Sequence, residues 1–148
     1  MVQPRHALVL VVERDEALRL STARVLESAG YEVHAAADIP DALAAATVRC
    51  PDLVLVHVGL ADGWSFVRAL RTDPRTSGCP IVATGGRPIA EHAHEPMLAE
   101  VEAYLHKPSE PDFLFAVLVG VLGGGGVAER ARRIAQESNV AEGSEPDR

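Results

Sequence analysis

Apolar residues in this chain arrive in short continuous runs separated by longer stretches of helical spacing. Ala7 to Val12 is an unbroken run of β-type residues, and Asp15 to Ala29 follows with Leu18, Val25, Leu26 and Ala29 on one helical face and Gly30 as a helix C′ residue. Tyr31 to Ala35 reads as a second, weaker strand. Asp38 caps a helix through Val48, with Pro40 in its first turn and an alanine run from Ala44 to Ala46. Leu53 to Val56 is a third strand, running off into His57, and a helix is expected from about Trp64 to Arg71. Ile81 to Thr84 makes a fourth strand, and Ala90 to Glu100 should hold a helix disturbed by Pro96. Val101 to His106 is the fifth strand and Pro111 to Leu122 the fifth helix. Five such units with continuous apolar strands predict an α/β fold, a parallel sheet covered on both faces. In open sheets of this kind a site lies outside the carboxyl ends of the strands. That rule brings Glu13-Arg14-Asp15, His57, Thr84-Gly85 and Lys107 to one edge, although they are far apart in sequence.

Composition narrows the classes. With 148 residues, 47% hydrophobic and 24% charged, one domain with a sizeable core is expected. A formal net charge of -7 argues against direct nucleic-acid binding or adhesion to an anionic membrane, both of which need a basic face. Cys50 and Cys79 lack metal-ligand spacing and read as reduced thiols of a cytoplasmic protein. No export signal and no membrane-spanning length is evident.

The segments "LVLVVERDEALRLSTARVLESAGYEV", "PDLVLVHVGLADGWSFVRALRTDP", "CPIVATGG" and "AYLHKPSEPDFL" resemble the receiver domain of bacterial two-component response regulators. The resemblance covers roughly residues 5 to 122. It implies a flavodoxin-like (βα)5 three-layer sandwich with a five-stranded sheet of order 2-1-3-4-5. It also implies an acidic pair after the first strand, a phosphate-accepting aspartate after the third, a hydroxyl after the fourth and a Lys-Pro after the fifth. Carboxylates holding Mg²⁺, a lysine and a hydroxyl together suit aspartyl-phosphate chemistry.

Carried over residue by residue, the resemblance fails at most working positions. The acidic pair falls on Glu13 and Arg14, and the acceptor falls on His57. The hydroxyl position is divided between Thr84 and Gly85, the family's usual spacing back from Tyr104 favouring Gly85. Lys107-Pro108 matches, Tyr104 stands at the switch aromatic, and Ala61 replaces the loop proline ahead of Asp62-Gly63. One carboxylate against two cations and a neutral imidazole gives a net charge of about +1 where the ordinary pocket has about -2, so Mg²⁺ is expected to bind weakly or not at all. The sum falls to zero if Asp15 turns inward, and Arg14 is a candidate partner for Glu13 or Asp15.

Four readings of His57 stand side by side. It fills the space of the missing aspartate, or accepts a phosphoryl group itself as an unorthodox acceptor. It senses pH, with the emptied pocket taking a small ligand, or it joins His92 and His94, flanked by Glu91 and Glu95, in a metal site. His6, His34 and His106 read as incidental, and Asp62 points the wrong way to substitute as acceptor.

The fifth helix, "FLFAVLVGVL", carries no charged or polar side chain, so its outer side must be covered. Phe113, Phe115, Leu118, Val119, Val121 and Leu122 are the candidate interface, for a homodimer or a signalling partner. In receivers the face made by the fourth helix, fifth strand and fifth helix is the usual contact surface. Residues 1–122 are the expected receiver domain. Residues 123–148 are expected to hold a glycine hinge, a short amphipathic helix able to fold back over the fifth helix, and a disordered end. No DNA-binding module is expected to follow. The expectation is a non-enzymatic, atypical receiver that does not undergo ordinary aspartyl phosphorylation and works through protein contacts.

Overall fold

The computed structural model describes residues 7–59, 62–106 and 111–122, with side chains of the last segment from Leu114 onward. Lys107, Pro108, Ala61, the Phe113 side chain, His6 and the whole of 123–148 lie outside the described residues, and with them the expected hinge, tail helix and disordered end.

Five strands form one parallel sheet in the order β2-β1-β3-β4-β5: β1 is Leu8–Val12, β2 Glu32–Ala36, β3 Leu53–His57, β4 Ile81–Gly85 and β5 Ala103–His106. The α-helices are α1 Glu16–Ser28, α2 Ile39–Val48, α3 Gly63–Thr72 and α4 Pro111–Leu122. Asp15 starts α1 by accepting from the Leu18 amide, and Asp38 starts α2 by accepting from the Asp41 amide, each satisfying a donor the helix leaves open. After α1 the chain turns at Gly30, whose φ of 101° suits only glycine at low cost. The Tyr31 amide then returns to the Leu26 carbonyl, which starts β2.

Alternation along the strands divides the core in two. Leu10, Val54, Val56, Ala83 and Tyr104 pack with Phe66 and Leu70 beneath α2 and α3. Val9, Val11, Leu55, Val82 and Leu105 pack with Leu26 and Leu118 beneath α1 and α4. Side chains of successive strand residues go to opposite faces, so the unbroken apolar runs serve both layers at once.

The amino-terminal edge is tied by polar groups. The Leu8 amide donates to Asp52 Oδ2 at 2.8 Å while the Asp52 amide donates to the Leu8 carbonyl. Across the sheet, Arg71 donates to the carbonyls of Ser77, Cys79 and Glu100 and to Glu102, whose Oε1 also accepts from the Ile81 amide at 2.7 Å.

Two expectations need correction. Ala90 to Glu100 forms no α-helix but two 3-10 turns, Ile89–His92 and Pro96–Glu100. Pro96 lacks the amide that a helix through this segment would need, and Glu95 caps the second turn through the Met97 amide. The apolar fifth helix, here α4, is not chiefly an outward surface. Leu118 is 0% exposed and Val121 4%, both within the core beneath α1 and α4, so these two are packing residues and not interface. Phe115 and Leu122 are half-buried, and Val119 is half exposed. Among the described residues no helix is long and apolar enough to cross a membrane.

Leu118→Ala should therefore cost about 2–5 kcal/mol through the lost contacts and the cavity, whereas Val119→Ala should stay within about 0.5 kcal/mol. Urea unfolding of the two variants distinguishes them, and equal losses would contradict this division of the helix.

Candidate functional site

Strand register decides which groups meet. Val12 lies level with Val56, and His57 level with Thr84, so the residues leaving β1, β3 and β4 emerge side by side. Glu13, next after Val12, is 6% exposed; its amide donates to the Ala36 carbonyl, and its Oε2 accepts from the Asp15 amide at 3.1 Å. The two residues after it turn outward. Arg14 is exposed and forms no ion pair among the described residues, and Asp15 is exposed and occupied as the α1 cap. Neither the expected pairing of Arg14 with Glu13 or Asp15 nor an inward Asp15 occurs, because the capping bond holds Asp15 at the helix start. Arg19, which the sequence did not single out, reaches back from α1 and donates to the carbonyls of Glu13 and Arg14 at 3.0 and 3.1 Å. One guanidinium thus pins the loop after β1.

His57 is half-buried at the end of β3, its Nδ1 3.4 Å from the hydroxyl oxygen of buried Thr84. Gly59 makes room for this ring: a Cβ there would lie 2.6 Å from His57 Nε2, so any larger residue would require the imidazole to move. Nothing in the sequence marked Gly59. Glu13, His57 and Thr84 line a largely apolar cavity of about 390 Å³ whose other walls include Val11 and Leu55 of the sheet, Leu18 of α1 and Leu114 of α4.

The neighbouring residue Gly85 faces the other way. A Cβ on Gly85 would meet the Tyr104 hydroxyl at 2.5 Å, whereas Thr84 lies beside His57. The two candidates for one hydroxyl position therefore serve opposite sides of the sheet. Tyr104 is 1% exposed; its hydroxyl donates to the Arg87 carbonyl and lies 3.2 Å from His92 Nε2. His92 is in turn edge-on to Trp64, with ring centroids 5.5 Å apart. Burial pushes the Tyr104 phenol up to about 12 against a partial opposing effect of the Arg87 bond. Burial, followed by the charge of Arg87, holds His92 below the ordinary imidazole range, with Glu91 and Glu95 opposing. An open cleft of about 730 Å³ lies here, bordered by Trp64, Gly86, His92 and His94.

The metal site of His57, His92 and His94 is not assembled. His57 sits with Thr84 and His92 with Tyr104 and Trp64, and no group of three or more metal-ligating side chains occurs among the described residues. His106 bonds the Gly86 carbonyl from β5, and His34 is exposed on β2.

A parallel sheet of order 2-1-3-4-5, helices on both faces and polar groups gathered where β1, β3 and β4 end define a flavodoxin-like protein of the kind that carries signalling receivers. Residues 9–119 match the response regulator receiver domain, and the chain belongs to that family. It is 32% identical over 102 residues to the KDP operon transcriptional regulatory protein KdpE of Escherichia coli, covering 68% of this chain and 44% of that protein. It is 30% identical over 124 residues to the acid tolerance regulatory protein ActR of Rhizobium meliloti, covering 80% of this chain and 61% of that one. The chain thus spans about half the length of these two relatives. Among solved structures, the chemotaxis response regulator CheY4 of Vibrio cholerae superposes with a TM-score of 0.72 at 30% identity, covering 78% of this chain and 98% of that one. The receiver domain of a Pseudomonas aeruginosa sensor histidine kinase, solved with a magnesium ion in its active-site cleft, has a TM-score of 0.73 at 25% identity, covering 80% and 99%. The chain is accordingly a receiver domain of two-component signalling, a signalling module by family.

Because folding holds His92 below its unfolded value of about 6.5, the unfolded chain takes up the proton first as pH falls. The stability this contributes is complete above that value and is lost as pH falls through the lower folded one. His92→Phe keeps a ring beside Trp64 and Tyr104 and removes the titration. Urea midpoints measured down through this window should fall less steeply for the variant than for the wild type, and parallel slopes would refute the assignment.

Proposed function

We propose that this chain is an atypical receiver domain that is not phosphorylated by the usual aspartyl route and signals through protein contacts. The carrying observation is the group at position 57: an imidazole, not a carboxylate, with its Nδ1 beside the Thr84 hydroxyl. Around it, among the described residues, only Glu13 turns a carboxylate inward, since Arg14 and Asp15 are exposed and Asp15 caps α1. Mg²⁺ needs several hard oxygen ligands in near-octahedral geometry. A single buried carboxylate, a ring nitrogen and a hydroxyl are a poor donor set for it. The magnesium ion of the Pseudomonas aeruginosa relative is therefore not carried over to this chain, and neither is the phosphoryl transfer that such an ion supports. An imidazole beside a hydroxyl instead forms a hydrogen-bonded pair that adds no carboxylate to the edge.

Incubation with acetyl phosphate and Mg²⁺, followed by intact mass, tests this reading. The wild type should gain no phosphate, while the double variant Arg14→Asp with His57→Asp, which returns two carboxylates to the edge, should gain one. A phosphate on the wild type would overturn the proposal and favour an unorthodox acceptor.

The contact surface on α4 is the stripe Phe115, Val119 and Leu122, spaced four and then three residues apart and so on one helical face. Val119 is half exposed and the other two half-buried, and no charge interrupts them. A second copy of the chain is the simplest partner for such a stripe. Val119→Asp should convert a wild-type dimer to monomer in light scattering after gel filtration, with little change in urea midpoint. A wild type that is already monomeric would remove the homodimer from the proposal.

A further inference from the structure

The amino-terminal edge of the sheet, opposite His57, brings both cysteines of the chain together. Cys50 precedes β3 and Cys79 precedes β4, so they are remote in sequence but adjacent across the pairing of these two strands. Both sulfurs converge on one acceptor: the Cys50 thiol lies 3.7 Å from the Pro51 carbonyl oxygen, and the Cys79 thiol lies 3.4 Å from the same oxygen. The Cys50 thiol is also near enough to contribute to the raised pKa of Cys79. Neither is engaged in a disulfide; Cys50 is exposed and Cys79 is buried.

We propose that Cys50 and Cys79 form a reversible intramolecular disulfide when the protein meets a peroxide. Exposed Cys50 is the sulfur that the oxidant reaches. Hydrogen peroxide transfers one oxygen to the Cys50 thiol, giving a sulfenic acid and one water. The Cys79 sulfur then bonds to the Cys50 sulfur as the S–O bond breaks, and the departing hydroxide leaves with the Cys79 proton as a second water. Two thiols are oxidised and one peroxide is reduced, so the step balances without a further reactant. Burial pushes the Cys79 thiol up to about 12, which keeps it out of direct reaction with peroxide; its attack on the sulfenic sulfur passes the thiol proton to the departing hydroxide as the S–S bond forms. The bond would join the entries of β3 and β4, an edge already braced by Arg71 through the Cys79 carbonyl. Closing the loop between the two cysteines restricts the unfolded chain, so oxidation should raise the thermal midpoint by several degrees.

The experiment treats the folded full chain with hydrogen peroxide, blocks remaining thiols and digests with trypsin. The expected product is a monomer lighter by two hydrogens, in which the peptide beginning at Cys50 is linked to the peptide carrying Cys79. Dithiothreitol should release the link. Cys50→Ser, at an exposed position where the fold is not at risk, should yield no cross-linked peptide. Oxygen added to Cys50 without a cross-link, a disulfide between two chains only, or no reaction at either sulfur would each overturn the proposal. So would a cross-link that forms in urea but not in the folded chain.

Discussion

Parallel pairing of β1, β3 and β4 in a single register places His57 beside Thr84 and brings Glu13 to the same cavity. A slip of one residue in β3 would send His57 to the layer of Tyr104 and Phe66 and bring Val56 or Val58 to the cavity. In a sheet with one wet face the hydrophobic alternation forbids such a slip. Here both faces are apolar, and the strand sequences alone discriminate weakly between the two registers. What holds the register is the polar edge at the other end: Asp52 against the Leu8 backbone, and Glu102 against the Ile81 amide with Arg71 behind it. Each exchanges bonds with one particular backbone group, so a shifted strand would leave a part-buried carboxylate or amide unpaired.

The carboxyl edge that results is two sites back to back. On the α1 and α4 side, Glu13, His57 and Thr84 border an apolar cavity. On the α2 and α3 side, Tyr104 is held by Arg87 and His92 over the bare Cα of Gly85. In this chain the hydroxyl belongs to the first side and the aromatic to the second, and β4 separates them. The Tyr104 ring therefore occupies space that any side chain at position 85 would contest, and its two polar contacts keep it there.

Arg14 and Asp15 are drawn off by exposure and by capping, and among the described residues Glu13 is the buried carboxylate of the edge. Arg19 stabilises the loop through the Glu13 and Arg14 carbonyls.

Much of the architecture was legible without coordinates because its signals are local. Apolar runs of strand length, the caps Asp15 and Asp38 and the C′ glycine Gly30 each act within a turn or two of themselves, and together they dictate five strands and a parallel sheet. Where Pro96 and Glu95 compete with helix formation, the outcome turned on a backbone donor that proline lacks, and two short turns formed instead. Whether Leu118 or Val119 faces the core, and whether Thr84 or Gly85 meets His57, was decided only in the tertiary structure. From Leu114 onward α4 is apolar, and β4 is buried along its whole length, so neither has an exposed polar face to mark its outer side and the direction of each side chain is set by which distant surface it packs against.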